Sequence, residues 1–198
     1  MKSLMRQLAF CIVPLFVLLI EGASCAQSGK GQATQALARP FPAEAETAKK
    51  ELLAVGEPAV DVIEGELRSK TQTGHVRVAF LVDVLLSFES RSAYAALYGL
   101  LSDSRPFVRG NIVQQLGRKK VYCAVPRLIH MLSDDTEFAQ EVSTDPYRLK
   151  SILVSDAAFA ALGSITGVAQ DRRESVASSR VKFEKWWERN NNRFSCPQ

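Results

Sequence analysis

The chain returns to itself every 31 to 32 residues, and that spacing constrains the fold more than any other feature. Leu97-Tyr98-Gly99-Leu100-Leu101-Ser102-Asp103 recurs 31 positions later as Leu128-Ile129-His130-Met131-Leu132-Ser133-Asp134, and Val76-Arg77 recurs 32 positions later as Val108-Arg109. Val108 stands nine residues before Gly117 as Val154 does before Gly163, and Ala59-Val60 after Gly56 corresponds to Ala124-Val125 after Gly117. A period in this range marks a stacked-repeat architecture. From residue 44 onward Ala, Leu, Val and charged residues recur at three- and four-residue steps, and alternating strand runs flanked by turn residues are missing. The expectation is an all-α domain over residues 44–190, about four antiparallel helix pairs joined by short turns. One pair cannot bury its apolar face alone, whereas stacked neighbours make a continuous core. Ile63 and Leu67, Leu97 and Leu101, and Leu128 and Leu132 fall at i and i+4 in the second helices, so each pair projects into that core.

The order Leu-Gly, short turn, Ala-Val-Pro-x-Leu-Ile-x-x-Leu-x-Asp, then x-Val-Arg and a further Leu-Gly is similar to the HEAT-repeat consensus. The likeness is to the short bacterial repeats related to bilin-lyase subunits. It is carried by Ala124-Val125-Pro126-Arg127-Leu128-Ile129, Leu132-Ser133-Asp134 and Val108-Arg109 through Leu116-Gly117. It covers nearly all of the chain after residue 26, each repeat being degenerate. Phe183-Glu184-Lys185-Trp186-Trp187-Glu188-Arg189-Asn190 also resembles the Trp-rich last helix of many exported bacterial members. The resemblance implies a right-handed α-α superhelix, an armadillo-like solenoid, closed by that helix as a cap. Phe183, Trp186 and Trp187 form an apolar stripe suited to capping; a ligand-stacking role is the alternative. One irregularity interrupts the array: Val108 to Val154 spans 46 residues where Val76 to Val108 spans 32. The surplus lies around Asp135–Leu149 and is polar, so it reads either as an edge insertion carrying a contact or as a longer helix and loop.

Residues 1–26 are read as an address. Lys2 and Arg6 precede a 13-residue apolar run, Leu8–Ile20, and Gly22-Ala23-Ser24-Cys25-Ala26 supplies small residues, the three parts of a secretory signal. The run is shorter than the roughly 20 residues a membrane span requires. Cleavage after Ala26 would free a soluble chain; lipidation of Cys25 would anchor it, although Gly22 and Glu21 fit such a site poorly. The protein is therefore expected outside the cytoplasm, periplasmic or lipid-anchored in the cell envelope. Residues 27–43 read as a flexible tether and 191–198 as a tail.

The 25 basic and 21 acidic side chains are dispersed and do not form the stripe that nucleic acid requires. His75, His130 and four cysteines, without CxxC or HExxH spacing, supply no metal or cofactor ligand set. His130 lacks a nucleophile at a recognisable spacing. Asp103, ahead of Arg109, and Asp156 suit helix starts, and capping and pairing between repeats fit these Asp and Arg residues better than an acid–base pair. If the second helices line the concave side, the register places Val62, Ala96 and Arg127 in one column, with His130, Leu100 and Met131 in the columns beside it. Such a groove suits a helix or extended peptide, unless the tether or the last helix covers it. Cys123 and Cys196 would be the thiols left in an oxidising compartment, and could bridge if their Cα atoms come within about 7 Å. The expected function is non-catalytic binding of another protein or peptide, with no cofactor and no nucleic acid. The resemblance alone suggests an alternative, an accessory or lyase-like subunit acting on a prosthetic group. A nucleic-acid-binding repeat protein is a further alternative that export and dispersed charge weigh against.

Overall fold

The computed structural model describes residues 28–69, 74–142, 149–169 and 174–194. The signal-like segment, Cys25 and Cys196 lie outside them. The described residues are mostly helical with one small two-stranded sheet. They divide into two compact units, the first ending at Val62 and the second beginning at Ile63.

In the first unit, helix α1 covers residues 28–37 and helix α2 spans Ala45–Val55. Helix α3, Glu57–Arg68, starts here and contributes its second half to the other unit. The segment expected to be a tether is thus helical over most of its length. Its Gln, Ser and Gly content concealed an apolar stripe, Ala33, Ala36 and Leu37, at i, i+3 and i+4, and all three are buried. Pro40 disfavours helical dihedrals at Arg39 and stops α1. The Arg39 guanidinium then donates to Glu51 Oε2 at 2.7 Å and to Glu44 Oε2 at 2.7 Å. That hydrogen bond holds the Glu51 carboxyl below its ordinary range. Gly56, with φ of 77°, makes the left-handed turn between α2 and α3 that a side chain would resist.

The second unit contains helices α4 (His75–Ser87), α5 (Arg91–Leu100), α6 (Pro106–Arg118), α7 (Val125–Met131), α8 (Val154–Thr166) and α9 (Val176–Asn190). A 3-10 turn, Tyr122–Ala124, leads into α7, and another, Asn191–Arg193, follows α9. Ser90 caps α5, its hydroxyl accepting from the Ala93 amide, and Pro106 opens α6 where a missing N–H costs nothing. Helix α4 buries Val78, Leu81, Val82, Val84, Leu85 and Leu86, so apolar residues face nearly all round and the helix lies deep in the core. Each such fully buried side chain stabilises by about 2 kcal/mol. The main packing runs from α4 to α6 to α8, with α7 against α8 and α9.

Small residues set the closest approach. A Cβ built on Gly117 of α6 would stand 2.6 Å from the Cβ and 2.7 Å from the Cα of Ala161 on α8. Gly117 is therefore the point where two helix backbones touch. A Cβ on Gly110, two turns earlier, would stand 2.2 Å from the Phe138 ring.

Phe138 belongs to a structure that the periodicity did not anticipate. The surplus after Asp134 contains a strand pair, β1 (Glu137–Val142) and β2 (Leu149–Leu153), antiparallel with Ala139 opposite Ile152 and an irregularity between Glu137 and Ala139. This corrects the reading that strands are absent, and of the two readings of the surplus it excludes the longer helix and loop. The pair returns the chain to where it left. The Val154 amide donates to Thr136 O at 3.0 Å and the Ser155 amide to Asp134 O at 2.9 Å. Helix α8 therefore starts at the turn that follows α7, despite the extra residues between them.

Candidate functional site

The two Leu-Ser-Asp turns that mark the repeat carry a chain of arginine contacts. Asp103, after α5, accepts from Arg105 Nε at 2.8 Å, Arg105 Nη2 at 2.9 Å and the Arg105 amide at 2.9 Å. Arg105 reaches on to the Ser69 carbonyl at 2.8 Å and to the Leu67 carbonyl, closing the end of α3. Arg109, four residues on in α6, donates to both oxygens of Asp134 at 2.7 and 3.0 Å, and to the Asp103 carbonyl at 2.7 Å. Successive turns are thus tied by arginines that satisfy the free carbonyls of helix C-termini. Hydrogen bonds from Arg105 hold the Asp103 carboxyl below its ordinary range. At Asp134 burial pushes upward, and hydrogen bonds from Arg109 and Thr136 prevail, leaving the carboxyl low. Asp103 does not cap the next helix as expected, because Arg105 occupies the N-cap of α6. Asp156 does sit at a helix start, its Oδ2 accepting from the Leu153 amide at 3.2 Å.

Within the second unit, the groove residues expected from the repeat register do not share one surface. Leu100 is fully buried and Ala96 is 4% exposed, so neither lines an open groove; both belong to the α5 face that enters the core. Val62 is half-buried on α3 in the first unit. Arg127 is exposed, with its guanidinium carbon 3.9 Å from the Tyr98 ring centroid, a cation–π contact. His130 and Met131 do come together, on the wall of a shallow depression of about 510 Å³ with Asp103, Arg109 and Asp134. The two carboxylates there are already engaged by arginine.

A larger cavity lies elsewhere in the second unit, with a volume of about 660 Å³. Helix α6 supplies Gln114 and Arg118, α8 supplies Asp156, Phe159 and Ala160, and the approach to α9 supplies Glu174 and Val176. Its lining therefore combines an aromatic ring, small aliphatic groups and charges of both signs. Ser179, 3% exposed, also borders it. Only the insertion's position and the last helix pointed toward this region in the sequence. Its lining residues carry no motif, because they come from several elements that are distant in the chain.

Helix α9 is held by Phe183, 2% exposed, whose ring meets Phe159 edge-on at 6.1 Å, and by Arg180, which donates to Ser133 Oγ at 2.5 Å. Trp186 and Trp187 are half-buried. Phe194, which the sequence did not single out, stacks on Tyr122 at 4.2 Å with 9° between the planes, and on Trp186 at 6.2 Å. Cys123, next to Tyr122, is disulfide-bonded; Cys11, Cys25 and Cys196, the chain's other cysteines, lie outside the described residues.

Among the described residues no three His, Cys, Asp or Glu side chains gather to hold a metal ion, and no helix is long and apolar enough to cross a membrane. Comparison with protein-family models, with curated proteins and with solved structures finds no match to the chain.

Proposed function

We propose that this protein is a non-catalytic scaffold of the bacterial cell envelope that binds an extended segment of another protein in the cavity bounded by α6, α8 and α9. The observation that carries this reading is the lining: the cavity offers apolar contact from Phe159, Ala160 and Val176, and charges of both signs from Arg118, Asp156 and Glu174. A polypeptide presents the matching chemistry, apolar side chains on a backbone that donates and accepts. A polyanion would meet Asp156 and Glu174, and an aliphatic chain would leave the polar groups unpaired.

The chain is read as a HEAT-like solenoid, a right-handed superhelix of helix pairs in which α9 caps the last repeat. The arginine ties between equivalent turns and the α4–α6–α8 seam support that reading. Residues 1–26 direct export, and Cys25 is the point of attachment if the protein is lipidated.

Selection of a random-sequence peptide library against the full chain tests the site. Peptides that share a pattern of apolar residues should be enriched, and Ala160→Trp should weaken them by about tenfold or more. Ala160 is exposed and lines the cavity, so the indole fills the space without entering the core. Enriched peptides that bind wild type and Ala160→Trp equally, or no enrichment, would count against the cavity.

A further inference from the structure

We infer that the bound segment is held as a third strand on the open edge of β2, an assignment that rests on the reading of the cavity as a polypeptide site. Among the described residues β2 pairs with β1 alone, so one side of its backbone is without a strand partner. Two hydrogen bonds show which residues face that side. The Val154 amide turns toward β1 and donates to Thr136 O at 3.0 Å, whereas the Leu153 amide turns away and donates to Asp156 Oδ2 at 3.2 Å. In an antiparallel strand successive residues direct their N–H and C=O groups to opposite sides. The backbone of Ile152 therefore faces β1, and that of Ser151 faces the open edge. The irregularity of the ladder lies on β1, between Glu137 and Ala139, and leaves this alternation along β2 undisturbed. Among the described residues no backbone bond from outside the pair reaches Ser151, and Ser151 is exposed.

The open edge borders the cavity. Ile152, Ser155 and Asp156 all line it, and Asp156 is the carboxylate that takes the outward Leu153 amide, so edge and cavity meet at that residue. A segment lying there would exchange main-chain hydrogen bonds with Ser151 while its own side chains alternate between the two faces. Every second residue would face the cavity as Ile152 does. Those between would share the face of Ser151, whose hydroxyl donates to Glu137 Oε2 at 2.7 Å. Asp156 is exposed and forms no ion pair among the described residues, so it complements a Lys or Arg at the point where the added strand ends. The occupant is thus an extended segment of another protein, with apolar residues at alternate positions and a basic residue at one end.

Peptides that the full chain enriches from the random library, and that Ala160→Trp weakens, are the probes. Methylating their backbone nitrogens one at a time should weaken binding about tenfold or more at alternate residues, and less than about threefold at those between. Ser151→Pro removes an N–H that β1 does not use and should weaken the same peptides about tenfold. Ser151→Ala, which keeps the amide, should bind them as wild type does. Losses that are uniform along the peptide, no losses, or equal weakening by Ser151→Pro and Ser151→Ala would overturn the added strand and leave the cavity as the site. Should Ser151→Pro fail to fold, the methylation pattern decides alone. No enriched peptide, or none sensitive to Ala160→Trp, would overturn the cavity reading and this inference with it. A wild-type dimer that Ser151→Pro dissociates, measured by sedimentation, would give the edge to a second copy of the chain and overturn the proposal.

Discussion

Gly117 stands in the sequence as a turn marker after Leu116, and in the fold it does something different. It lies within α6, buried, where the backbones of α6 and α8 meet at Ala161. A glycine that permits helix contact and a glycine that ends a helix look alike in sequence, because both are defined by an absent side chain. Gly117→Ala should lower stability by about 1–3 kcal/mol, since the new methyl meets backbone atoms and not the movable end of a side chain; chemical denaturation measures this. Tyr98 supplies the opposite case. Its hydroxyl is buried without a hydrogen-bond partner among the described residues, and burial pushes its pKa up to about 12. Removing an unsatisfied buried group relieves its desolvation, so Tyr98→Phe should leave stability unchanged or raise it by up to about 1 kcal/mol. A clear fall in melting temperature would show that the hydroxyl has a partner.

Among the elements, the helices were legible and the strand pair was not. Helical periodicity located α4 through α8 because each buries a stripe of several residues, whereas β1 secures its burial through Phe138, whose place exists because Gly110 lacks a Cβ. That contact joins residues far apart in the chain and leaves no local pattern; the surplus length showed where the departure lies but not its form. The shared Leu-Ser-Asp signature of α5 and α7 was visible, and its reason is the arginine each aspartate receives. Arg109→Ala removes the partner of a largely buried Asp134 and should cost about 2 kcal/mol at neutral pH. The Asp103 and Asp134 carboxyls are held below their unfolded values, so their contribution is present above about pH 4 and is lost as pH falls through the lower folded values. Urea titrations at neutral and acid pH should show this loss in wild type, and a smaller one in Arg109→Ala. An equal acid dependence in both would remove Arg109 from the account.

At the scale of the molecule, the repeat register carried more about construction than about the site. It placed a groove on second-helix positions that include Ala96 and Leu100, which the packing of α5 buries. The cavity instead draws on residues of α6 and α8 and on the segment around the start of α9, a juxtaposition that follows from how these helices pack. The claim that this cavity receives a polypeptide is tested most directly by a photo-crosslinking amino acid placed at Ala160 in the full chain, in cells of the source organism. Illumination should yield a discrete protein adduct, absent when the same probe replaces the exposed Lys185 and lost when Arg118→Glu is added. No adduct at Ala160, or the same adduct from both positions, would contradict the proposed site.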